Sequence, residues 1–147
     1  MKRAIVAICT LLYLCQPSFA NPQAMVKPTK DGRGAAMKWL ALLDKGRYAA
    51  SWDRAAKSFQ DRVTKADWIA GMKKLHEQYG KVLSRKFRDS TFAVNPPGLP
   101  AGEHETLRFA IKLARRGRAD EVVSMIMQKN GEWRVSGYYL TPVDSPV

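Results

Sequence analysis

The spacing of apolar residues changes at Gly80, and this change limits the possible folds more than any other feature of the sequence. Before Gly80, apolar side chains recur every three or four residues, which is the spacing of an amphipathic helix. After it they recur at every second residue, as in "LRFAIKL" (residues 107–113), which is typical of a strand with one buried face. Helices followed by strands predict an α+β domain, with N-terminal helices packed on an antiparallel sheet of about four strands.

The first half of the chain predicts three helices, each with one apolar stripe. Gly46 and Gly80 are placed to end the first and the third helix. Thr64 and Asp67 have the spacing of an N-terminal cap for the third helix. The three stripes are Ala36, Trp39, Leu40 and Leu43; Tyr48, Trp52, Ala55 and Phe59; and Trp68, Met72, Leu75 and Tyr79.

Two turn signals set the predicted register of the sheet. Asn130-Gly131 is typical of a two-residue hairpin turn, and Arg116-Gly117 is interpreted in the same way for the preceding hairpin. Residues 81–94 predict a further strand, in which apolar positions change face between Phe87 and Phe92. We therefore expect a bulge or a bend there. The two turns predict these opposite pairs: Met127 with Arg134, Ile126 with Val135, Ser124 with Gly137, Val122 with Tyr139, Ile111 with Val122, and Leu107 with Ile126.

This register assigns side chains to the two faces of the sheet. The predicted core face collects Leu107, Phe109, Ile111, Leu113, Val122, Ile126, Trp133, Val135 and Tyr139. The opposite face carries Ala110, Val123, Met125, Met127 and Tyr138 among Arg108, Lys112, Arg134 and Ser136. An exposed apolar face with a charged rim usually marks a contact surface. The alternative is that a helix or the N-terminal segment covers it.

The N-terminus predicts export. Lys2 and Arg3 precede an apolar run over residues 4–14, and residues 18–20 have the pattern of a signal-peptidase site. We therefore expect cleavage after Ala20 and a secreted or periplasmic protein. The apolar run is too short for a membrane span, which needs about 20 apolar residues. A lipid anchor on Cys15 is the minor alternative.

The remaining chain is expected to form one domain. Residues 21–30 are interpreted as a flexible lead-in, residues 31–142 as the domain and residues 143–147 as a tail. Cleavage would remove Cys9 and Cys15, the two cysteines of the chain, so the mature protein would contain no disulfide.

The charge of the chain bears on its partners. Lys and Arg number 25 against 13 Asp and Glu. This surplus would attract nucleic acid, but the predicted export argues against such a partner. It leaves the anionic targets outside the cytoplasm, which are envelope lipids, anionic glycans and acidic envelope proteins. A homodimer through the apolar sheet face is equally consistent with the pattern. The alternative is that the charge serves solubility alone.

Several stretches resemble a known family. "WLALLDKGRYAASW", "VTKADW", "YGKVLSRK" and "GEWRVSGYY" are similar to the secreted bacterial family catalogued as domain of unknown function 4019, over about residues 35–139. The resemblance implies an NTF2-like, cystatin-like cone with helices first and a curved antiparallel sheet wrapped on them. It implies no established activity. The residues that carry it are Trp39, Asp44, Gly46, Tyr48, Ser51, Trp52, Trp68, Gly80, Arg85, Gly131, Trp133, Gly137 and Tyr138.

The sequence contains no catalytic or metal-binding signature. Proton abstraction in an NTF2-like cone requires an inward carboxylate, and the predicted core face offers only Asp120, near a strand end. Asp44 is interpreted as a solvated residue near a helix end. His76 and His104 are isolated, so no metal site and no cofactor are predicted.

These observations predict an exported, non-enzymatic binding or interaction module of the cell envelope. The alternative is a small-ligand pocket or a weak enzyme inside the cone. The predicted partner face consists of Arg108, Val123, Met125, Met127, Arg134 and Tyr138. The predicted ligand pocket is lined by Tyr48, Trp52, Ser124, Gln128, Trp133 and Tyr139.

Overall fold

The computed structural model describes residues 32–143, so the predicted signal peptide, the lead-in and residues 144–147 lie outside the described part. The helices are α1 (Arg33–Asp44), α2 (Tyr48–Asp53), α3 (Lys57–Gln60) and α4 (Lys65–Tyr79). The strands are β1 (Val82–Val94), β2 (Glu103–Leu113), β3 (Gly117–Met127) and β4 (Trp133–Val143). They form one antiparallel sheet in the order β1-β2-β3-β4. The predicted α+β class, with helices before a four-stranded sheet, is confirmed.

The helices follow the predicted stripes with one difference. Thr64 caps α4 as predicted, because its hydroxyl accepts the backbone N–H of Asp67 at 3.1 Å. The second stripe is divided into α2 and α3. Ala56, between them, is extended (φ −67°, ψ 153°), and its N–H donates to the carbonyl of Val135 at 2.8 Å. The N–H of Ala56 therefore forms a hydrogen bond with the sheet in place of the hydrogen bond that would have continued the helix.

The register of the β2–β3 hairpin differs from the prediction by three residues. Leu107 lies opposite Val123, and Ile111 lies opposite Ala119. The backbone after α4 holds the turn in this position, because the N–H of Ala114 donates to Lys81 O at 2.9 Å. A shift by an odd number of residues turns every side chain of β3 to the other face.

The β3–β4 hairpin agrees with the prediction over part of its length. Ser124 lies opposite Gly137 and Val122 opposite Tyr139, as expected. Nearer the turn the predicted pairs are wrong by one residue, since Met125 faces Val135. A register shift between Ser124 and Met125 absorbs the difference. In β1, the expected bulge is confirmed between Phe87 and Asp89.

The core lies between the helices and one face of the sheet. Leu107, Phe109, Ile111, Leu113, Trp133 and Val135 are buried as predicted, and Leu40, Val123 and Met125 join them. Val122, Ile126 and Tyr139 were assigned to this face wrongly, because the register turns them outward. Ile126 is nevertheless buried, and it lies opposite His104 on β2. His104 is bonded in turn to the preceding loop, because its Nε2 donates a hydrogen bond to the carbonyl of Pro100.

Candidate functional site

A buried carboxylate lies in the core, on the helix side of the sheet. Glu121 faces Phe109 across β2 and β3 and is 0% exposed. Arg85 donates from Nε to Oε2 at 2.5 Å and from Nη2 to Oε1 at 3.2 Å. The hydroxyl of Tyr138 donates to Oε1 at 3.0 Å. These donors compensate for the loss of water around the carboxylate, which would otherwise be costly.

Arg85 also connects the sheet to α1. Its Nη1 and Nη2 donate to Asp44 Oδ2 and Oδ1 at 2.8 and 3.0 Å, a bidentate geometry. Burial lowers the pKa of Arg85, but the hydrogen bonds and charges of Asp44 and Glu121 outweigh this effect and raise it above its usual value. The guanidinium therefore stays charged and fixes the distance between α1, β1 and β3.

Tyr138 lies inside an aromatic cluster. Its ring centroid is 5.7 Å from that of Trp39 and 6.0 Å from that of Trp68. Both indoles are held by Ser51, since Trp39 Nε1 donates to its carbonyl and Trp68 Nε1 to its hydroxyl. Burial and then the charge of Glu121 raise the pKa of Tyr138 well above its usual value. The phenol consequently remains a neutral donor to Glu121.

A small cavity opens beside this network, and we call it the Tyr48 cavity. Its volume is about 100 Å³, and its apolar walls come from α1, α4 and the ends of the strands. The polar residues that line it include Asp44, Tyr48, Arg85, Glu121 and Tyr138. Tyr48 is 8% exposed, its hydroxyl forms no hydrogen bond with the described residues, and burial raises its pKa. The cavity therefore offers a free hydroxyl next to an ion pair.

A larger opening lies between α1, the end of α2 and the start of β4, and we call it the Trp133 groove. Its volume is about 540 Å³, within the range of about 300–1,000 Å³ that is usual for small-molecule sites. Ala35, Trp39, Met125, Trp133 and Val135 supply its apolar floor. The groove can therefore receive an apolar group from solvent.

The rim of the Trp133 groove carries more unpaired positive than negative charge. Lys38 and Arg54 line it, and neither side chain has a hydrogen bond or ion pair with the described residues. Asp53, by contrast, is bonded to Lys65 at 2.8 and 2.9 Å. Arg134 also has an acidic neighbour, since its Nη2 lies 3.5 Å from Oε2 of Glu132. Two cations thus remain available to an anion above an apolar floor.

The six residues of the predicted ligand pocket do not meet in one place. Trp133 lines the groove and Tyr48 the separate cavity. Trp52 donates its indole N–H to Val63 O, and Gln128 lies in the β3–β4 loop. Ser124 and Tyr139 are on the outer face, where Tyr139 is 58% exposed. The strand register accounts for Ser124 and Tyr139, whose side chains it turns away from the helices.

The predicted partner face is also divided by the register. Val123 and Met125, predicted to be exposed, are 0% and 1% exposed in the core. Met127 and Tyr138 pack against that core and are half-buried. The remaining two lie elsewhere: Arg108 pairs with Asp89 on the outer face at 2.8 Å, and Arg134 lies at the groove. The prediction that these residues form one exposed face was wrong.

The sequence analysis did not predict either of the two carboxylates that are buried among the described residues, Glu121 and Glu105. It named Asp120, but the β3 register turns Asp120 outward and Glu121 inward. Asp44 is exposed at the end of α1, as interpreted from the sequence, but the bidentate bond that it forms with Arg85 was not predicted. The available signal was the pair Asp120-Glu121 itself: one of two adjacent acids in a strand must face the core side.

Within residues 32–143, no group of three or more His, Cys, Asp or Glu side chains is arranged to hold a metal ion. None of the helices described is long and apolar enough to cross a membrane.

A family model described as a protein of unknown function, DUF4019, matches residues 35–138. The match includes the residues of the Arg85–Glu121 network and most of both openings. No curated protein matches the chain.

Proposed function

The chain belongs to the DUF4019 family, and we propose that it is an exported, non-enzymatic binding module that takes an anionic ligand with an apolar body in the Trp133 groove. We further propose that its domain has the NTF2-like shape implied by the sequence, and that export removes residues 1–20. The observation that carries the ligand proposal is the position of Lys38 and Arg54, unpaired with the described residues, above a floor that includes Trp39 and Trp133.

The charges and the floor complement the two parts of such a ligand. An anionic group gains from Lys38 and Arg54, which need not leave another partner among the described residues. An apolar group gains mainly from its own removal from water, about 25 cal/mol for each Å² buried, because Trp39, Trp133 and Val135 in the floor are at most 6% exposed. A ligand with only one of these parts would interact either with the two cations or with the apolar floor, and should bind more weakly.

A matched pair of dyes tests this division. 1-Anilinonaphthalene-8-sulfonate combines an apolar body with a sulfonate, and N-phenyl-1-naphthylamine has the same body without the charge. We expect the sulfonate to bind the folded protein with saturation and the neutral dye to bind more weakly. Fluorescence titration measures both affinities, and circular dichroism establishes that the protein remains folded.

Charge variants locate the site. Lys38→Glu/Arg54→Glu should weaken binding of the sulfonate several-fold and leave that of the neutral dye unchanged. Lys73→Glu/Lys74→Glu, on exposed positions of α4, changes the net charge equally and serves as the control. Equal affinity for both dyes, or equal losses in the two double variants, would refute the proposed groove.

Export has its own test. Intact-mass analysis of the protein secreted by its host should give a chain that begins at residue 21. A lipid on Cys15, or a retained Met1, would overturn this part of the proposal.

The Tyr48 cavity supports a second candidate function, the binding of a small neutral molecule. Asp44 and Glu121 are balanced there by Arg85 and Lys81, and Tyr48 supplies the free hydroxyl. Titration with acetamide, followed by NMR chemical shifts, should perturb the amides around Tyr48. The same titration of Tyr48→Phe should give a much weaker response. Equal responses in both proteins would exclude this site.

A further inference from the structure

The end of the sheet opposite the Trp133 groove carries a cluster of cations, which we call the basic tip. It consists of Lys81, Lys112, Arg115, Arg116 and Arg118, all of them exposed. β4 runs from Trp133 beside the groove to Val143 beside the tip, a length of about 30 Å at the usual rise per residue. The two sites can therefore be tested independently.

The tip is held in place by the end of α4. The N–H of Arg115 donates to Tyr79 O at 3.0 Å, and its guanidinium donates to the carbonyl of Glu77. The guanidinium of Arg116 lies over the ring of Tyr79, 5.9 Å from its centroid. These contacts present the cations on a fixed surface, so that little order has to be gained when a partner binds.

Two of the cations face each other directly. Lys112 on β2 lies opposite Arg118 on β3, and like charges in this position destabilise a sheet. On the same face the nearest acid along β3 is Asp120, opposite Ala110. Positive charge is thus concentrated at this end of the sheet, an arrangement that is favourable against a surface of negative charge.

Exposed apolar side chains flank the same row of residues. This row crosses the four strands from β1 to β4 and consists of directly opposite residues: Ser84, Lys112, Arg118 and Val143. Leu83, left unpaired by the register shift beside Ser84, is 60% exposed, and Val143 is 41% exposed. Apolar side chains next to cations match the boundary of a bilayer, where head groups carry charge and acyl chains begin. A polyanionic glycan offers the charge alone.

We propose that the basic tip docks the protein on the surface of an anionic phospholipid bilayer, with Leu83 and Val143 entering the head-group layer. The cations meet lipid phosphates, and the groove at the other end of β4 faces away from the membrane. Each Lys or Arg near such a surface strengthens partitioning about fivefold at low salt.

Vesicle co-sedimentation tests the proposal with protein that lacks residues 1–20, because the apolar run of residues 4–14 would itself bind lipid. This protein keeps the entire described domain with its core. We expect binding to phosphatidylcholine vesicles that contain phosphatidylglycerol, little binding to phosphatidylcholine alone, and release as salt is raised.

Two variants separate charge from apolar insertion. Lys112→Gln/Arg116→Gln should weaken binding to the anionic vesicles about 25-fold, the product of two fivefold effects, and leave the dye affinity of the groove unchanged. Leu83→Ser should weaken binding to the vesicles several-fold without changing retention on heparin. Lys57→Gln/Lys129→Gln, on exposed positions of α3 and the β3–β4 loop, removes the same charge elsewhere and should have little effect.

Three results would overturn the proposal. Equal binding to neutral and anionic vesicles would exclude recognition of head-group charge. Equal losses in the two double variants would mean that net charge, and not the tip, attracts the lipid. If Leu83→Ser binds vesicles as the unmodified protein does, while heparin competes for the tip, then the partner is a polyanion and not a bilayer. Circular dichroism of each variant should be unchanged, which excludes loss of the fold as the cause of any change in binding.

Discussion

Arg85 on β1 donates its Nε–H to the carboxylate of Glu121 on β3 at 2.5 Å, and the two residues meet across the intervening strand β2. The same guanidinium binds Asp44 at the end of α1. One side chain thus connects three elements. A buried pair of this kind is weak as a source of stability, and we expect its main effect to be on which strands and helix come together.

Removing one partner of this pair should be costly. Arg85→Met leaves the carboxylate of Glu121 buried with only Tyr138 as donor, and we expect a loss of about 3–5 kcal/mol in the free energy of unfolding. Replacing both partners, in Arg85→Met/Glu121→Met, should recover most of this loss, because no buried charge then lacks a counterion. Urea denaturation measures both variants. Comparable losses in the single and double variants would contradict the interpretation.

The phenol of Tyr138 should give the stability a dependence on alkaline pH. Burial, and then the charge of Glu121, raises the pKa of Tyr138 in the folded state. The unfolded chain loses this proton near pH 10, its ordinary pKa, while the folded protein retains it. The contribution of Tyr138 is therefore complete below that pH and is lost as the pH rises towards the folded pKa.

Tyr138→Phe isolates this contribution. At neutral pH the variant should be less stable by about 1–3 kcal/mol, because Glu121 loses a donor. Above pH 10 the stability of the unmodified protein should fall more steeply, so that the two curves converge. Urea denaturation over the alkaline range gives both slopes. Parallel curves would mean that the phenol of Tyr138 ionises normally in the folded protein.

The sequence was sufficient to predict that helices precede strands, but it was not sufficient to predict which side chains of β3 face the core. In "EVVSMIM" (residues 121–127), apolar residues occur on both sides of the strand, at Val122 and Ile126 as well as at Val123 and Met125. Alternation therefore could not select the inner face, and the choice depended on the position of one turn. That position is set by bonds between the turn and the end of α4, which no local pattern reveals.

The candidate sites were harder to predict for the same reason. Glu121 becomes buried only through the register, and Arg85 reaches it from a strand that is distant in sequence. Lys38 and Arg54 belong to different segments and become neighbours when α1 and α2 pack beside β4. By contrast, the cap at Thr64 and the bulge after Phe87 depend on nearby residues, and both were predicted correctly.

Trp133 and Tyr139 provide a direct test of the two faces. Both were predicted to lie in the core, but Trp133 is buried and Tyr139 is exposed on the other face. Trp133→Ala should cost about 3–5 kcal/mol, since it removes a large buried side chain. Tyr139→Ala should change the stability by no more than about 0.5 kcal/mol. Similar shifts of the urea midpoint in the two variants would contradict the register of β4.

Two glycines of the α4 region should respond in opposite directions to the same substitution. A Cβ at Gly71 has no atom within 4 Å, so Gly71→Ala should stabilise the exposed helix by about 0.5–1 kcal/mol. Gly80 has a φ of +77°, and a Cβ there would lie 3.0 Å from Ala114 Cβ.

Gly80→Ala should therefore destabilise the domain, because the backbone conformation of Gly80 (φ +77°, ψ −168°) is essentially confined to glycine. The cost of this conformation for alanine is about 1–3 kcal/mol. Contact with Ala114 adds to this cost and acts on the β2–β3 turn, whose position determines that Glu121 faces inward. Thermal and urea unfolding of both variants measure the effects, with Gly71→Ala as the matched control. If Gly80→Ala were as stable as Gly71→Ala, the end of α4 would not hold the turn, and another contact would have to set the register.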